Sequence, residues 1–291
     1  MEDRTMKKWK KVLTITTMMA LIMGTFVGCG GNATSDTKSG TTSSANGEDT
    51  SLEDIKERGE FILGLDASFP PMGYTNEKNE IVGYDIDLAK EVCKRMGVEL
   101  KIQPINWDSK QQELDTKNID CIWNGFSVDE ERAKTMTLST PYMDNRQVLV
   151  VKADSSYKTK ADLAGKVVEL QKGSTAAAAL EEDSNKEFKD SLADTILIAD
   201  NVKAMMDLGT GCDAVLMDEV VANYYLAQNK GQYRILEDAV SSEEYVIGFR
   251  KGDEALKDEV EKQLQEMAKD GTMSKIDQTW FGKDVSKIQT K

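Results

Sequence analysis

The chain has no histidine among its 291 residues. A Ser-His-Asp or Cys-His nucleophile, a His-ligated zinc and a histidine proton shuttle are all excluded by that one absence. An enzyme built on this chain would have to use carboxylates, lysine, tyrosine, thiols or a borrowed cofactor. Cysteine is scarce too. The three that follow Cys29, namely Cys93, Cys121 and Cys212, form no C-x-x-C pair, so neither a disulfide framework nor a zinc ribbon is indicated. Basic residues are outnumbered 37 to 51, and a net charge of −14 argues against a nucleic-acid surface. Aromatics reach only 7 %, yet 40 % hydrophobic residues suffice for a packed globule and exclude wholesale disorder. The length fits about two domains of ordinary size.

No apolar run is long enough for a comfortable membrane span. The longest, Val12 to Val27, follows a basic start of Arg4, Lys7, Lys8, Lys10 and Lys11 and leads into Gly28-Cys29-Gly30-Gly31. It falls short of the roughly 20 residues a bilayer needs and is diluted by threonine and glycine. A positive start, an apolar middle and a small-residue end read as an export signal over residues 1–28. Phe26-Val27-Gly28-Cys29 resembles a bacterial lipobox, which implies a lipidated Cys29, although Phe26 stands where leucine is usual. Residues 29–50 are then a Ser/Thr/Gly/Asn-rich tether with little to bury, placing a body beside a membrane that it does not cross.

Beyond the tether, strands and helices alternate. Phe61–Leu65 reads as a buried strand. Asp85 is positioned to cap a helix with Leu88, Val92, Cys93 and Met96 on one face, ended by Gly97. Leu100–Ile105 alternates as a strand, a short helix covers Gln111–Lys117, and Ile119–Trp123 is a strand. Such a βαβαβ run implies parallel strands with right-handed crossovers. A second unit begins near Asn145. Its expected strands are Val148–Lys152, Lys166–Leu170, Thr195–Ala199, Cys212–Met217 and Tyr245–Arg250; its expected helices are Thr175–Glu181, Val202–Leu208 and Glu219–Asn229. Leu256, Val260, Leu264 and Met267 mark a closing helix, followed by Ile276 and Trp280. The fold class expected is α/β, built from two successive units. Cys93 and Cys121 read as buried small hydrophobes.

Ligands of such sheets bind beyond the carboxyl ends of the strands. The loops after Leu65, Trp123, Leu170 and Met217 supply Asp66 and Phe69, then Asn124, Gly125, Ser127 and Arg132, then Lys172 and Thr175, then Asp218. A guanidinium, a hydroxyl and a helix start make a carboxylate-binding kit, and an aspartate opposite them completes recognition of an ammonium group. Phe69 and Trp107 offer flat apolar walls. A carboxylate and an ammonium on one carbon describe an α-amino acid. Each residue also has a plainer reading. Ser127 can cap a helix and Arg132 can pair with Asp129, Glu130 or Glu131. Lys172-Gly173-Ser174-Thr175 lacks the G-x-x-x-x-G-K-[ST] pattern and is then a simple helix start. Asp218 can be an N-cap, Asp66 a turn residue, and Trp107 and Trp123 core.

The segments Asp66-Ala67-Ser68-Phe69-Pro70-Pro71, Gly83-Tyr84-Asp85-Ile86-Asp87-Leu88, Ser127 to Arg132, Leu138-Ser139-Thr140-Pro141-Tyr142, Gly173-Ser174-Thr175, Asp213-Ala214-Val215, Asp218 and Trp280-Phe281-Gly282 stand in an order that resembles the polar-amino-acid solute-binding proteins of ABC importers. The resemblance spans residues 52–284. It implies a two-lobed periplasmic-binding-protein-like (type II) fold, each lobe a mostly parallel sheet flanked by helices, with two hinge strands between them. Lobe one would comprise residues 51–144 plus 243–291, and lobe two residues 145–242. It further implies that Arg132, helped by Ser127 and the backbone at Thr175, holds the ligand carboxylate. Asp218 with the Gly125 carbonyl would hold the ammonium, Phe69 and Trp107 would flank the side chain, and Asp66, Asn124 and Lys172 would choose it. A Lys172–Asp66 salt bridge would leave a neutral polar pocket; a free Asp66 would suit a basic ligand. Neutral ligands such as glutamine or cystine and basic ones stay open. The resemblance calls for no cofactor and no metal, a monomer, and an integral-membrane permease as partner. Its rivals are a cyclohexadienyl-dehydratase-like enzyme using Asp66, Asp108 or Lys172, and an amino-acid sensor or adhesin outside transport.

Overall fold

A computed structural model describes residues 48–288. The expected signal, the lipidation site Cys29 and most of the tether lie outside the described residues. The tether's expected end at residue 50 is corrected by Asp49, whose carboxylate accepts the backbone N–H groups of Ser51 at 3.0 Å and Ala255 at 2.6 Å. The body therefore begins before helix α1 (Ser51–Arg58).

Strand β1 (Glu60–Leu65) leads into a small antiparallel sheet of β2 (Ser68–Phe69), β3 (Gly73–Thr75) and β4 (Ile81–Val82). Helix α2 (Tyr84–Met96) follows, and its start corrects the capping role expected of Asp85. Gly83 occupies the N-cap, where a Cβ would stand 2.1 Å from the Met72 carbonyl oxygen, so only glycine fits. Asp85 lies inside the first turn, fully buried. Next come β5 (Glu99–Pro104), α3 (Lys110–Asp115), β6 (Cys121–Ser127), α4 (Glu130–Thr135), β7 (Met136–Leu138) and β8 (Met143–Lys152). The second half holds β9 (Val167–Gln171), α5 (Thr175–Glu181), α6 (Lys186–Ser191), β10 (Asp194–Ile198), α7 (Asn201–Asp207), β11 (Ala214–Asp218) and α8 (Glu219–Gln228). The chain returns along β12 (Tyr233–Arg250) and closes with α9 (Glu254–Lys269) and α10 (Thr272–Phe281).

The strands line up as β10-β9-β11-β8-β12-β6-β1-β5, with β7 also on β12. Both outer parts are parallel, as expected from the alternation of strands and helices. Between them β8 and β12 run antiparallel, and these two strands carry the chain from one half to the other and back. The fold is the mixed α/β, type II periplasmic-binding-protein-like class. Strand β12 is far longer than the expected Tyr245–Arg250. Its first two-thirds carry Glu237, Asp238, Ser241, Ser242, Glu243 and Glu244 and shift register twice against β8, so no alternation betrays a strand there.

Leu149, Val151, Leu163, Val168, Leu170 and Leu216 form a core of the second half, while Trp107, Leu114, Ile119, Ile122 and Phe126 cluster in the first. Each such side chain contributes about 1.5–3 kcal/mol on burial. Cys93, Cys121 and Cys212 are free and buried, and burial pushes the Cys93 and Cys212 thiols up to about 12. Among the described residues no helix is long and apolar enough to cross a membrane.

Candidate functional site

Strand β6 brings most of the expected residues inward. It was expected to end at Trp123, but all seven of its residues through Ser127 are buried, so Asn124, Gly125 and Ser127 are strand positions rather than loop. An Asn-Gly pair reads as a breaker in sequence; here Gly125 adopts φ +57 and β12 slips register opposite it, between Val246 and Gly248. A Cβ at Gly125 would lie 2.8 Å from Phe69 Cε1 and 3.1 Å from Tyr245 Cζ. Asp85 secures this bulge: Gly125 N–H donates to its Oδ2 at 2.7 Å and Tyr142 Oη to its Oδ1 at 2.9 Å. With no cation beside it, burial raises the Asp85 carboxyl to about 7.

Arg132 sits on α4, 7 % exposed. Its Nη1 donates to the Ser127 carbonyl at 2.6 Å and its Nη2 to the Gly173 carbonyl at 3.4 Å, while Nε meets Asp129 Oδ2 at 3.1 Å. The Phe126 ring lies 4.2 Å from the guanidinium carbon. Burial lowers its pKa, partly countered by Asp129, Glu243 and Asp218, but a guanidinium stays charged. The helix cap is Asp129, which accepts Arg132 N–H at 2.8 Å; Ser127 does not cap, and its Oγ is buried without a partner.

Opposite, Ser174 caps α5 by accepting Ala177 N–H at 3.2 Å, which is the simple helix start. Thr175 follows as its first residue, its Oγ1 accepting Gln147 Nε2 at 3.3 Å. Asp218 ends β11 at the N-cap position of α8, yet its side chain caps nothing. Its Oδ2 accepts Tyr245 Oη at 2.7 Å and Asn145 Nδ2 at 2.8 Å. Burial, joined by the neighbouring Glu243 carboxylate, raises the Asp218 carboxyl well above the ordinary range.

Asp66 follows β1 and is in part the turn residue its sequence allows. Its Oδ1 accepts Ser68 N–H at 2.9 Å and Ser68 Oγ at 2.5 Å, and its Oδ2 accepts Gln171 Nε2 at 2.7 Å. Asn124 is spent on positioning it, accepting Asp66 N–H at 2.9 Å. Phe69 lies buried against Gly125. Trp107 is 8 % exposed and meets Phe126 edge-on at 6.0 Å, and Trp123 is wholly core. Lys172 does not pair with Asp66. Its Nζ lies 2.8 Å from Asp108 Oδ2, with both side chains about half exposed. The inward lysine is Lys110, missed in sequence; it donates to the Gly173 carbonyl at 2.8 Å, and burial lowers it to about 8. Asn145, Gln147 and Glu243 were missed as well. A cavity of about 570 Å³ reaches Arg132 but none of the other expected residues; Asp108, Lys110 and Ser174 also line it.

Four contacts thus tie residues before β8 to residues after it: Asp66–Gln171, Lys110–Gly173, Arg132–Gly173 and Asp108–Lys172. Residues 61–283 match the model of the bacterial extracellular solute-binding proteins, family 3. The L-cystine-binding protein TcyJ of Escherichia coli strain K12 is 31 % identical over 81 % of this chain and 88 % of its own length. The ABC transporter arginine-binding protein 1 of the same strain is 33 % identical over 75 % of this chain and 89 % of its own. A crystal structure of an ABC uptake transporter substrate-binding protein from Streptococcus pneumoniae with bound histidine superposes with a TM-score of 0.79, at 34 % identity, covering 82 % of this chain and 99 % of that one. The matched span and the two-strand crossover agree, and the chain belongs to the bacterial extracellular solute-binding proteins, family 3.

Proposed function

We propose that this protein binds a polar L-amino acid between its two halves and delivers it to an ABC-type permease. The observation that carries this reading is a buried guanidinium, Arg132, and a buried carboxylate, Asp218, that form no ion pair with each other. Arg132 meets Asp129 through Nε alone and keeps N–H donors for a ligand carboxylate, while Asp218 has no cationic partner among the described residues and suits a ligand ammonium. Arg132 and the unpartnered Ser127 Oγ take the carboxylate with the backbone at Thr175; Asp218 and the Gly125 carbonyl take the ammonium. Phe69 and Trp107 flank the side chain, and Asp66, held in place by Asn124, sets its chemistry. Lys172, held by Asp108, no longer opposes Asp66, which favours a cationic side chain over a neutral one. The named ligands of the relatives, arginine and histidine beside cystine, fit that range.

The lobes on this reading are residues 51–144 plus 243–291 and residues 145–242, moving about β8 and β12. Ligand touches both and shifts the population toward the closed form, which the permease recognises. Binding, not catalysis, is the activity. Asp108 and Lys172 neutralise each other at the surface and Asp66 is engaged by Ser68 and Gln171, so prephenate or arogenate should stay unconverted. Lipidated Cys29 holds the protein, as a monomer, at the outer face of the cell membrane; Cys29→Ser should release it from the membrane fraction. A thermal-shift panel of the twenty amino acids with cystine and ornithine tests the central reading. Ligand at a hundred times its Kd adds about 2.7 kcal/mol, several degrees in Tm. No shift with any amino acid overturns it.

A further inference from the structure

Where β8, β11 and β12 lie side by side, the buried polar cluster holds one carboxylate more than a single ammonium group needs. Asn145 and Gln147 alternate along β8 and are both buried. In register with them stand Glu243 of β12, opposite Asn145, and Asp218 of β11, opposite Gln147. One nitrogen, Asn145 Nδ2, donates to Asp218 Oδ2 at 2.8 Å and to Glu243 Oε1 at 2.6 Å, which brings the two carboxylates together. Gln147 Nε2 donates to the same Glu243 oxygen at 2.8 Å. The same nitrogen reaches Thr175 Oγ1 at 3.3 Å, and the Oε1 of this amide is buried without a partner. No cationic side chain among the described residues pairs with Asp218 or Glu243; Arg132, whose pKa both carboxyls raise, makes its ion pair with Asp129. Two carboxylates joined by a neutral amide repel one another when both are ionised, which holds a proton on Asp218, and an acceptor with no donor is costly, until a cationic donor arrives.

We propose that Glu243 and Gln147 are ligand-binding residues that, with Asp218, form a three-acceptor seat for a cationic nitrogen of the ligand. An ammonium group offers three N–H donors and one positive charge, which matches two carboxylates and one amide oxygen around it. Glu243 and Gln147 lie on the two strands that cross between the halves, so amine capture acts directly on the strands about which the halves move. The inference rests on the amino-acid reading above.

Isothermal titration of the wild type and Glu243→Gln with L-arginine, L-histidine and L-cystine, each in turn, tests it. Every probe that binds the wild type should bind Glu243→Gln at least tenfold more weakly, while the empty variant melts no lower than the wild type because a like charge has been removed. A loss smaller than threefold overturns the proposal. If Glu243→Gln does not fold, Glu243→Asp decides: it keeps the charge but draws it back, so weakened binding is expected and wild-type affinity overturns the seat. If the wild type answers none of the three, the amino acid that raises its melting temperature most in the full panel becomes the probe; a wild type that answers none of the panel overturns the amino-acid reading, and this inference with it, whereas a wild type that binds while Glu243→Gln binds equally well overturns this inference alone.

Discussion

Gln171 donates its side-chain amide to Asp66 at 2.7 Å, a hydrogen bond from the second half of the chain to the first. Asp66 is already served by Ser68 and its carboxyl is raised by burial, so it is preorganised and anionic only at a cost. Asp66→Asn should therefore change which amino acid binds rather than whether one does. Affinity for arginine, lysine and histidine should fall at least tenfold and affinity for glutamine less than threefold, measured by titration calorimetry. Equal losses for both groups would remove Asp66 from side-chain selection.

Gly125 combines a left-handed φ with contact on two aromatic rings. Gly125→Ala adds backbone strain of about 1–3 kcal/mol and pushes a methyl group against Phe69. Urea unfolding should show a loss of at least that order, together with weaker ligand binding. An unchanged midpoint would mean that the bulge relaxes freely.

Asp85 gives a pH signature. Its carboxyl rises from an ordinary 3.8 to about 7 on folding, chiefly through burial. A raised acid binds its proton more tightly in the fold, so the wild type loses stability through this group as pH climbs from about 4 to about 7, by up to about 4 kcal/mol. Asp85→Asn removes that titration while keeping an acceptor for Gly125 N–H. Its stability relative to wild type should improve steadily between pH 4 and pH 8 in denaturant titrations; parallel pH profiles would contradict the assignment.

Lys172 and Asp108 form an exposed pair worth at most about 1 kcal/mol. Lys172→Ala should leave urea stability within about 1 kcal/mol of wild type and ligand affinity within threefold. A tenfold change in affinity would return Lys172 to the ligand.

Local patterning made much of this legible. Helix α5 falls where its alanines and the Ser174 cap place it, and β1, β9 and α9 follow their apolar spacing. Arg132 stands out in sequence although it also pairs with Asp129, because the guanidinium, hydroxyl and helix start form a recognisable kit. Asn145, Gln147 and Glu243 escaped because they are buried polar residues on strands, and a reading by hydrophobic alternation counts such residues as loop. Asp85 reads as a cap in sequence because the sequence alone does not reveal that Gly83 must approach the Met72 carbonyl. Lys110 and the Lys172–Asp108 pair depend on long-range contacts that no local window carries.

Arg132 makes its three contacts to protein oxygens and still has N–H donors in hand, buried beside a hydroxyl with no partner. If it anchors the ligand carboxylate, its loss abolishes binding of every amino acid, whatever the side chain. Titration calorimetry of Arg132→Ala against the amino acids that bind the wild type measures this directly, with circular dichroism as the check on folding. The account predicts no detectable heat of binding from a folded variant; wild-type affinity in that variant would contradict it.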